Sequence, residues 1–251
     1  MLHAFSRTEL LIGPEALARL ARSRVAVFGI GGVGSFVVEG LARSGVGHFV
    51  LVDDDCICLT NINRQIHATM STVGRPKVDV MKERILDINP AVIVEAIRQF
   101  YLPENGAALL SGDYDYIVDA VDTVTAKIDL AVRAQERNIP IIAAMGAGNK
   151  LDPARFEVAD LFQTSVCPLA KVMRKELRQR GIQQLKVVYS REKPLIPEFT
   201  ADADCTTACV CPEGTERTCA ARRQIPGSIA FSPSVMGLII AAEVVNDLIK
   251  K

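Results

Sequence analysis

The stretch Val25 to Asp53, VAVFGIGGVGSFVVEGLARSGVGHFVLVD, decides the fold. An apolar, β-branched run ends in Gly29-Ile30-Gly31-Gly32-Val33-Gly34 and passes directly into a helical pattern from Phe36. That order predicts a strand, a tight turn whose N–H groups face an anion, and a helix whose positive end lies behind it. Gly29 allows the turn, Gly31 lets a ligand approach and Gly34 lets helix and strand pack closely, with Gly32 a further nucleotide-binding candidate. Asp53 ends the next strand roughly twenty residues on, where a carboxylate can accept both hydroxyls of a ribose. Strand, glycines, helix, strand and acid in this order specify a nucleotide site.

Working outward, further strand signals at Val92–Val94, Tyr116–Val118 and Ile139–Ala143 alternate with helical patterns at Lys77–Ile88, Pro103–Leu110 and Val124–Arg137. Helical crossovers between strands predict an α/β fold with a doubly wound, mainly parallel, Rossmann-like sheet. Ligands of such sheets sit at the carboxyl ends of the strands, which here carry Gly29, Asp53, Asp119, Asp122 and Gly146-Ala147-Gly148. Past Gly148 the periodicity is irregular. A short strand near Phe156–Val158, a basic helix over Val166–Arg180, a strand near Val187–Tyr189 and a last helix beginning near Pro233 are expected. We read residues 1–150 as a nucleotide-binding core and 151–251 as a smaller C-terminal lobe of one domain.

Composition bounds the function. The 251 residues are 49% hydrophobic and carry no formal net charge, so a nucleic-acid partner must be met by a local patch. No secretory leader opens the chain, and the last apolar run is interrupted by Glu243, Asn246 and Asp247, which implies no membrane span and a cytoplasmic protein. Seven cysteines without an export signal imply reduced thiols.

Beyond Asp53 lies Asp53-Asp54-Asp55, then Asn61-Ile62-Asn63-Arg64-Gln65 and Val73-Gly74-Arg75-Pro76-Lys77. A nicotinamide cofactor has no use for that Arg and Lys, whereas a triphosphate losing pyrophosphate requires such cations. Asp122, in Val118-Asp119-Ala120-Val121-Asp122-Thr123, can reach the same crevice and hold Mg²⁺, or it can cap the next helix. These segments, with Ile88-Asn89-Pro90, resemble the E1-like ThiF/MoeB/HesA adenylating superfamily over residues 5 to 150.

The resemblance implies that Asp53 binds the ATP ribose beside Asp55, that Asn61, Arg64, Gln65 and Lys77 surround the phosphates, and that Asp122 binds the catalytic Mg²⁺. It implies a homodimer, with Arg7 of Phe5-Ser6-Arg7-Thr8 reaching the phosphates of the partner's site. Asn63 to Ala68, Asp160 to Leu177 and Arg222 to Pro233 are similar to the tRNA threonylcarbamoyladenosine dehydratases and extend the likeness over nearly the whole chain. Activation of the threonylcarbamoyl carboxylate by ATP, followed by cyclisation with net loss of water, is the implied reaction.

For a tRNA partner, Lys171, Arg174, Lys175 and Arg178 of the basic helix and Arg222 and Arg223 are candidate phosphate contacts. Cys205, Cys209, Cys211 and Cys219 lie close enough in sequence for a structural Zn²⁺, although they lack the paired C-x-x-C of many E1-like relatives; a set of free thiols or a redox-sensitive loop is the favoured reading. Cys56 and Cys58 are read as packing residues, and His67 as a phosphate neighbour or a structural hydrogen-bonder. The alternative function keeps the chemistry and changes the substrate to the C-terminal glycine of a ubiquitin-like or sulfur-carrier protein. A scaffold in a sulfur relay, with a relay protein as partner, is a further reading.

Overall fold

The structure is a computed structural model, and it describes residues 2–110, 112–198 and 226–250. Two helices, α1 (Ser6–Ile12) and α2 (Pro14–Arg22), lead into β1 (Arg24–Phe28). Then come α3 (Gly34–Ser44), β2 (His48–Val52), α4 (Lys77–Ile88), β3 (Ile93–Ile97), α5 (Pro103–Leu109), β4 (Tyr116–Asp119), α6 (Val124–Glu136) and β5 (Ile141–Ala144). The second half supplies β6 (Phe156–Asp160), α7 (Pro168–Gln179), β7 (Lys186–Ser190) and α8 (Phe231–Lys250).

The seven strands form one sheet in the order β3-β2-β1-β4-β5-β7-β6. All neighbours are parallel except β6 and β7, where Phe156 pairs with Ser190 and Asp160 with Lys186 in antiparallel register. The doubly wound expectation therefore holds, and the sheet continues across residue 150 because β7 joins the open edge of β5. The order reverses between β1 and β4, so their carboxyl ends, Phe28 opposite Asp119, open a crevice at the switch point.

Several boundaries differ from expectation for local reasons. β5 begins at Ile141 because Pro140 has no N–H to donate to a ladder; its carbonyl instead accepts from the Ile117 N–H at 2.8 Å. α7 begins at Pro168, since Val166 takes a left-handed φ of 63° that no helix contains. α8 begins at Phe231 and carries Pro233 inside its first turn, where a missing N–H leaves no intrahelical bond unmade.

α8 is long and apolar enough to cross a membrane, yet Met236, Ile240, Val244 and Leu248 are buried in the main core together with Val37 and Leu41 of α3. The interruptions of its apolar run have partners in the sheet. Asp247 accepts from Lys186 Nζ and from the Tyr116 hydroxyl, both at 2.7 Å, and Glu243 accepts from the same lysine at 3.1 Å. Burial and the hydrogen bonds to Lys186 and Tyr116 pull the Asp247 carboxyl in opposite directions, and the net effect holds it below the usual range. A polar seam thus fixes a core helix against β4 and β7.

Candidate active site

The glycine turn does three separate jobs. Gly29 adopts φ 86°, and a Cβ there would lie 2.6 Å from the Ala120 carbonyl oxygen; at Gly34 a Cβ would lie 1.8 Å from the Gly29 carbonyl oxygen. These two positions exclude side chains because the turn, α3 and β4 meet there. A Cβ at Gly31 would meet nothing closer than Gln65 Nε2 at 4.0 Å, so this glycine opens onto the crevice. Gly32 lies against Pro233 of α8. The crevice itself encloses about 580 Å³, and Gly31, Asp53, Arg64, Lys77 and Asp122 all line it.

Asp53 is locked from below. Its Oδ2 accepts from the Ile30 N–H at 2.6 Å and its Oδ1 from the Asp55 N–H at 2.9 Å. Each carboxylate oxygen has two acceptor sites, so this leaves capacity for the two hydroxyls of a ribose. Burial pushes the Asp53 carboxyl above its ordinary value, against the pull of Lys77 and the two N–H groups. Lys77, only 5% exposed at the start of α4, places Nζ 2.6 Å from Asp55 Oδ2 and 3.9 Å from Asp53 Oδ1. A buried ammonium is tolerated where carboxylates neutralise it, and the same ammonium faces the cavity.

The run Asn61 to Gln65 divides its labour. Asn61 Oδ1 accepts from the Cys58 N–H at 3.1 Å, closing the short helical turn Leu59–Asn61. Its carboxamide therefore shapes the wall. Arg64 donates through one guanidinium nitrogen to the Thr60 carbonyl at 2.8 Å and to Asn63 Oδ1 at 2.9 Å, which holds it along the crevice. Gln65 is buried, lines the crevice, and leaves Oε1 without a hydrogen-bond partner among the described residues. An orphaned buried acceptor in a cavity fits a bound donor.

His67 stands behind this wall, 3% exposed and with neither ring nitrogen bonded among the described residues. Burial, and then the charges of Lys77 and Arg84, push its pKa down to about 3. It is therefore a neutral imidazole and does not line the crevice. Cys58 is buried, as a packing residue should be, while Cys56 is half-buried and takes a contact from Arg98 at 3.2 Å.

Asp122 lies on the exposed loop after β4 and lines the crevice, while Thr123 occupies the N-cap of α6. Sequence reasoning missed Lys127, one turn further on. It is 1% exposed, and its Nζ donates to Asp119 Oδ1 at 3.0 Å and to the Ala144 carbonyl at 2.7 Å, tying the ends of β4 and β5 together under the crevice. Burial raises the Asp119 carboxyl, and Lys127 opposes it. The available signal was a lysine in the apolar stripe Lys127, Leu130, Ala131 and Ala134.

Arg7 is exposed on α1 and does not line the crevice of its own chain. On α7, Arg174 is turned inward onto Thr164, donating to its carbonyl at 3.0 Å and to its hydroxyl. Arg178 lies 5.3 Å from the centre of the Phe162 ring. Lys171 and Lys175 are exposed. The expected positions Cys205, Cys209, Cys211, Cys219, Arg222 and Arg223 lie outside the described residues.

Fold and crevice together define a doubly wound α/β protein with a nucleotide site at its switch point. The chain belongs to the ThiF family, whose pattern it matches over residues 5–251. It is similar to the tRNA threonylcarbamoyladenosine dehydratase of Bacillus subtilis, 47% identical over all of this chain and 96% of that protein. It is 36% identical to that of Haemophilus influenzae over 96% of this chain and 91% of the other. The crystal structure of the Escherichia coli tRNA N6-threonylcarbamoyladenosine dehydratase in complex with ATP superposes with a TM-score of 0.84 at 32% identity, covering 98% of this chain and 94% of that one.

Proposed function

We propose that the protein is an ATP-dependent tRNA threonylcarbamoyladenosine dehydratase. The observation that carries this is the meeting in one crevice of the locked carboxylate Asp53, the buried cation Lys77 and the exposed carboxylate Asp122, in a chain 47% identical over its full length to an enzyme of that name. Gly31 and Gln65 Oε1 supply the open approach and the unused acceptor that an ATP molecule would occupy.

A carboxylate is a poor electrophile until one of its oxygens becomes a good leaving group. In the proposed reaction the threonylcarbamoyl carboxylate attacks the α-phosphorus of ATP and displaces pyrophosphate. The carbamoyl group of the same side chain then attacks the activated carbonyl carbon, AMP departs, and the ring closes with net loss of water. Holding both groups on one nucleoside replaces a second bound substrate. Asp53 orients the ribose, while Lys77, Arg64 and the turn amides stabilise charge that develops on the leaving pyrophosphate. Asp122 is the oxygen ligand available for Mg²⁺, which would neutralise phosphate charge.

Arg7 acts from a neighbouring subunit in this reading. That Arg7 does not line its own crevice supports this, as do Leu10 and Leu11 of the same helix, 89% and 86% exposed, an apolar pair suited to an interface in a homodimer. The exposed Lys171 and Lys175 of α7, with Arg178, meet tRNA phosphates in the cytoplasm. The four late cysteines are a Zn²⁺ set or free thiols, and elemental analysis, at one equivalent of zinc per chain or none, separates the two readings.

The deciding experiment incubates purified protein with ATP, Mg²⁺ and tRNA bearing threonylcarbamoyladenosine. The expected product is a cyclic nucleoside lighter by one water, with AMP and pyrophosphate released. Unchanged tRNA, together with adenylation of the terminal glycine of a ubiquitin-like or sulfur-carrier protein, would replace this reading with the alternative.

A further inference from the structure

Asn149 grips the chain on both sides of residues 199–225. It follows β5 and adopts a left-handed φ of 57°, a conformation that asparagine tolerates better than most residues. Its backbone N–H donates to the Gly227 carbonyl at 2.8 Å, and its side-chain Oδ1 accepts from the Gly227 N–H at 2.7 Å. Its own carbonyl accepts from the Leu195 N–H at 2.8 Å. One residue thus holds Leu195, which precedes that segment, and Gly227, which follows it.

From the opposite wall, Asn63 Nδ2 donates to the Ser228 carbonyl at 3.0 Å. Residues Pro226 to Ser228 therefore bridge the crevice from the end of β5 to the Asn63–Arg64 turn. Pro226 packs so closely on Gly148 that a Cβ there would approach it to 2.9 Å. Pro226 and Ser228 both line the crevice. The ribose end of the crevice is fixed independently, since the bonds that lock Asp53 come from Ile30 and Asp55 and involve none of these atoms, whereas Asn63, which holds Ser228, also accepts from Arg64.

We infer that Asn149 is a positioning residue for the acceptor: through the Pro226–Ser228 bridge it sets where the tRNA-borne carboxylate meets the nucleotide. The inference rests on the function proposed above and goes beyond it by assigning the acceptor side of the crevice to a bridge clipped by a single side chain. Asn149 does not itself line the crevice, so its loss acts through the Pro226–Ser228 bridge and leaves the bonds that lock Asp53 as they were.

Two variants separate the side-chain bond from the backbone. Asn149→Gly keeps the left-handed turn and removes the acceptor for the Gly227 N–H; Asn149→Asp keeps both. With tRNA bearing threonylcarbamoyladenosine varied at saturating ATP, Asn149→Gly should raise the KM for tRNA about three- to tenfold, the scale of one hydrogen bond, while the KM for ATP stays within about twofold. Asn149→Asp should return the tRNA KM to near the wild-type value. An unchanged tRNA KM in Asn149→Gly, an equal rise in the KM for ATP, or an Asn149→Asp variant no better than the glycine variant would each overturn the assignment. Wild-type protein that leaves the tRNA intact overturns the functional reading and this inference together, whereas wild-type turnover with an indifferent Asn149→Gly overturns the inference alone.

Discussion

The two walls of the crevice are built differently. The wall running from Gly29 to Lys77 is continuous in sequence, and its functional side chains are fixed by neighbours in the same run: Asp53 by Ile30 and Asp55, Lys77 by Asp55, Arg64 by Thr60 and Asn63. The facing wall is assembled from Ala120 to Lys127, Ala144 to Gly148 and the Pro226–Ser228 segment, and it is tied by bonds between distant segments. The local wall carries its own fixing bonds, and the two walls meet where Asn63 donates to the Ser228 carbonyl.

The largest expected effect is on the assembled wall. Lys127→Met should cost about 3 to 5 kcal/mol of folding stability, because it leaves Asp119 charged, buried and without its cation. Urea denaturation measures this, and the double variant Lys127→Met with Asp119→Leu should recover most of the loss. A single variant as stable as wild type would mean that the ends of β4 and β5 do not depend on this pair.

Next, on the continuous wall, Lys77→Ala should lower turnover roughly a hundredfold or more, the usual scale for losing one electrostatic stabiliser. Steady-state assay with ATP and modified tRNA gives the number. Turnover near wild type would remove Lys77 from the chemistry and leave it as a counter-ion to Asp55.

Gly31→Ala probes the same wall more gently. The added methyl has no neighbour within 4 Å apart from the edge of Gln65, so folding stability should change by no more than about 0.5 kcal/mol. It points where the ligand approaches, so the KM for ATP should rise by about tenfold, an effect on the scale of 1.4 kcal/mol. Equal ATP affinity in variant and wild type would place the nucleotide elsewhere in the crevice.

The contrast between walls also explains what was legible in the sequence. The first five strands, their crossovers and the nucleotide side could be read because glycine spacing, strand alternation and the Asp53 acid act over short chain distances. The positions of β6 and β7 at the far edge of the sheet depend on which strand finds the open side of β5, and periodicity carries no such information. Lys127 and Asn149 were missed for the same reason, since their partners Ala144, Leu195 and Gly227 lie far along the chain. In the basic helix, a charge run does not reveal that Arg174 turns onto Thr164 while Lys171 stays outside.

The smallest expected effect concerns His67, which stands behind the continuous wall. Its pKa lies near 3 in the folded chain and near 6.5 in the unfolded one, so below pH 6.5 the unfolded chain takes up a proton that the folded chain does not. The contribution is fully present above pH 6.5 and is lost as pH falls below it, the loss reaching about 1.4 kcal/mol at pH 5.5. His67→Phe replaces the ring with an apolar one and removes that proton uptake, so its stability should fall less steeply than wild type between pH 7 and pH 5. Comparing the two proteins at each pH cancels the titration of Asp53, Asp119 and the other carboxylates, which remain in both. Parallel curves from urea denaturation across that range would mean that His67 takes up its proton in the folded chain as readily as in the unfolded one, against the charges of Lys77 and Arg84.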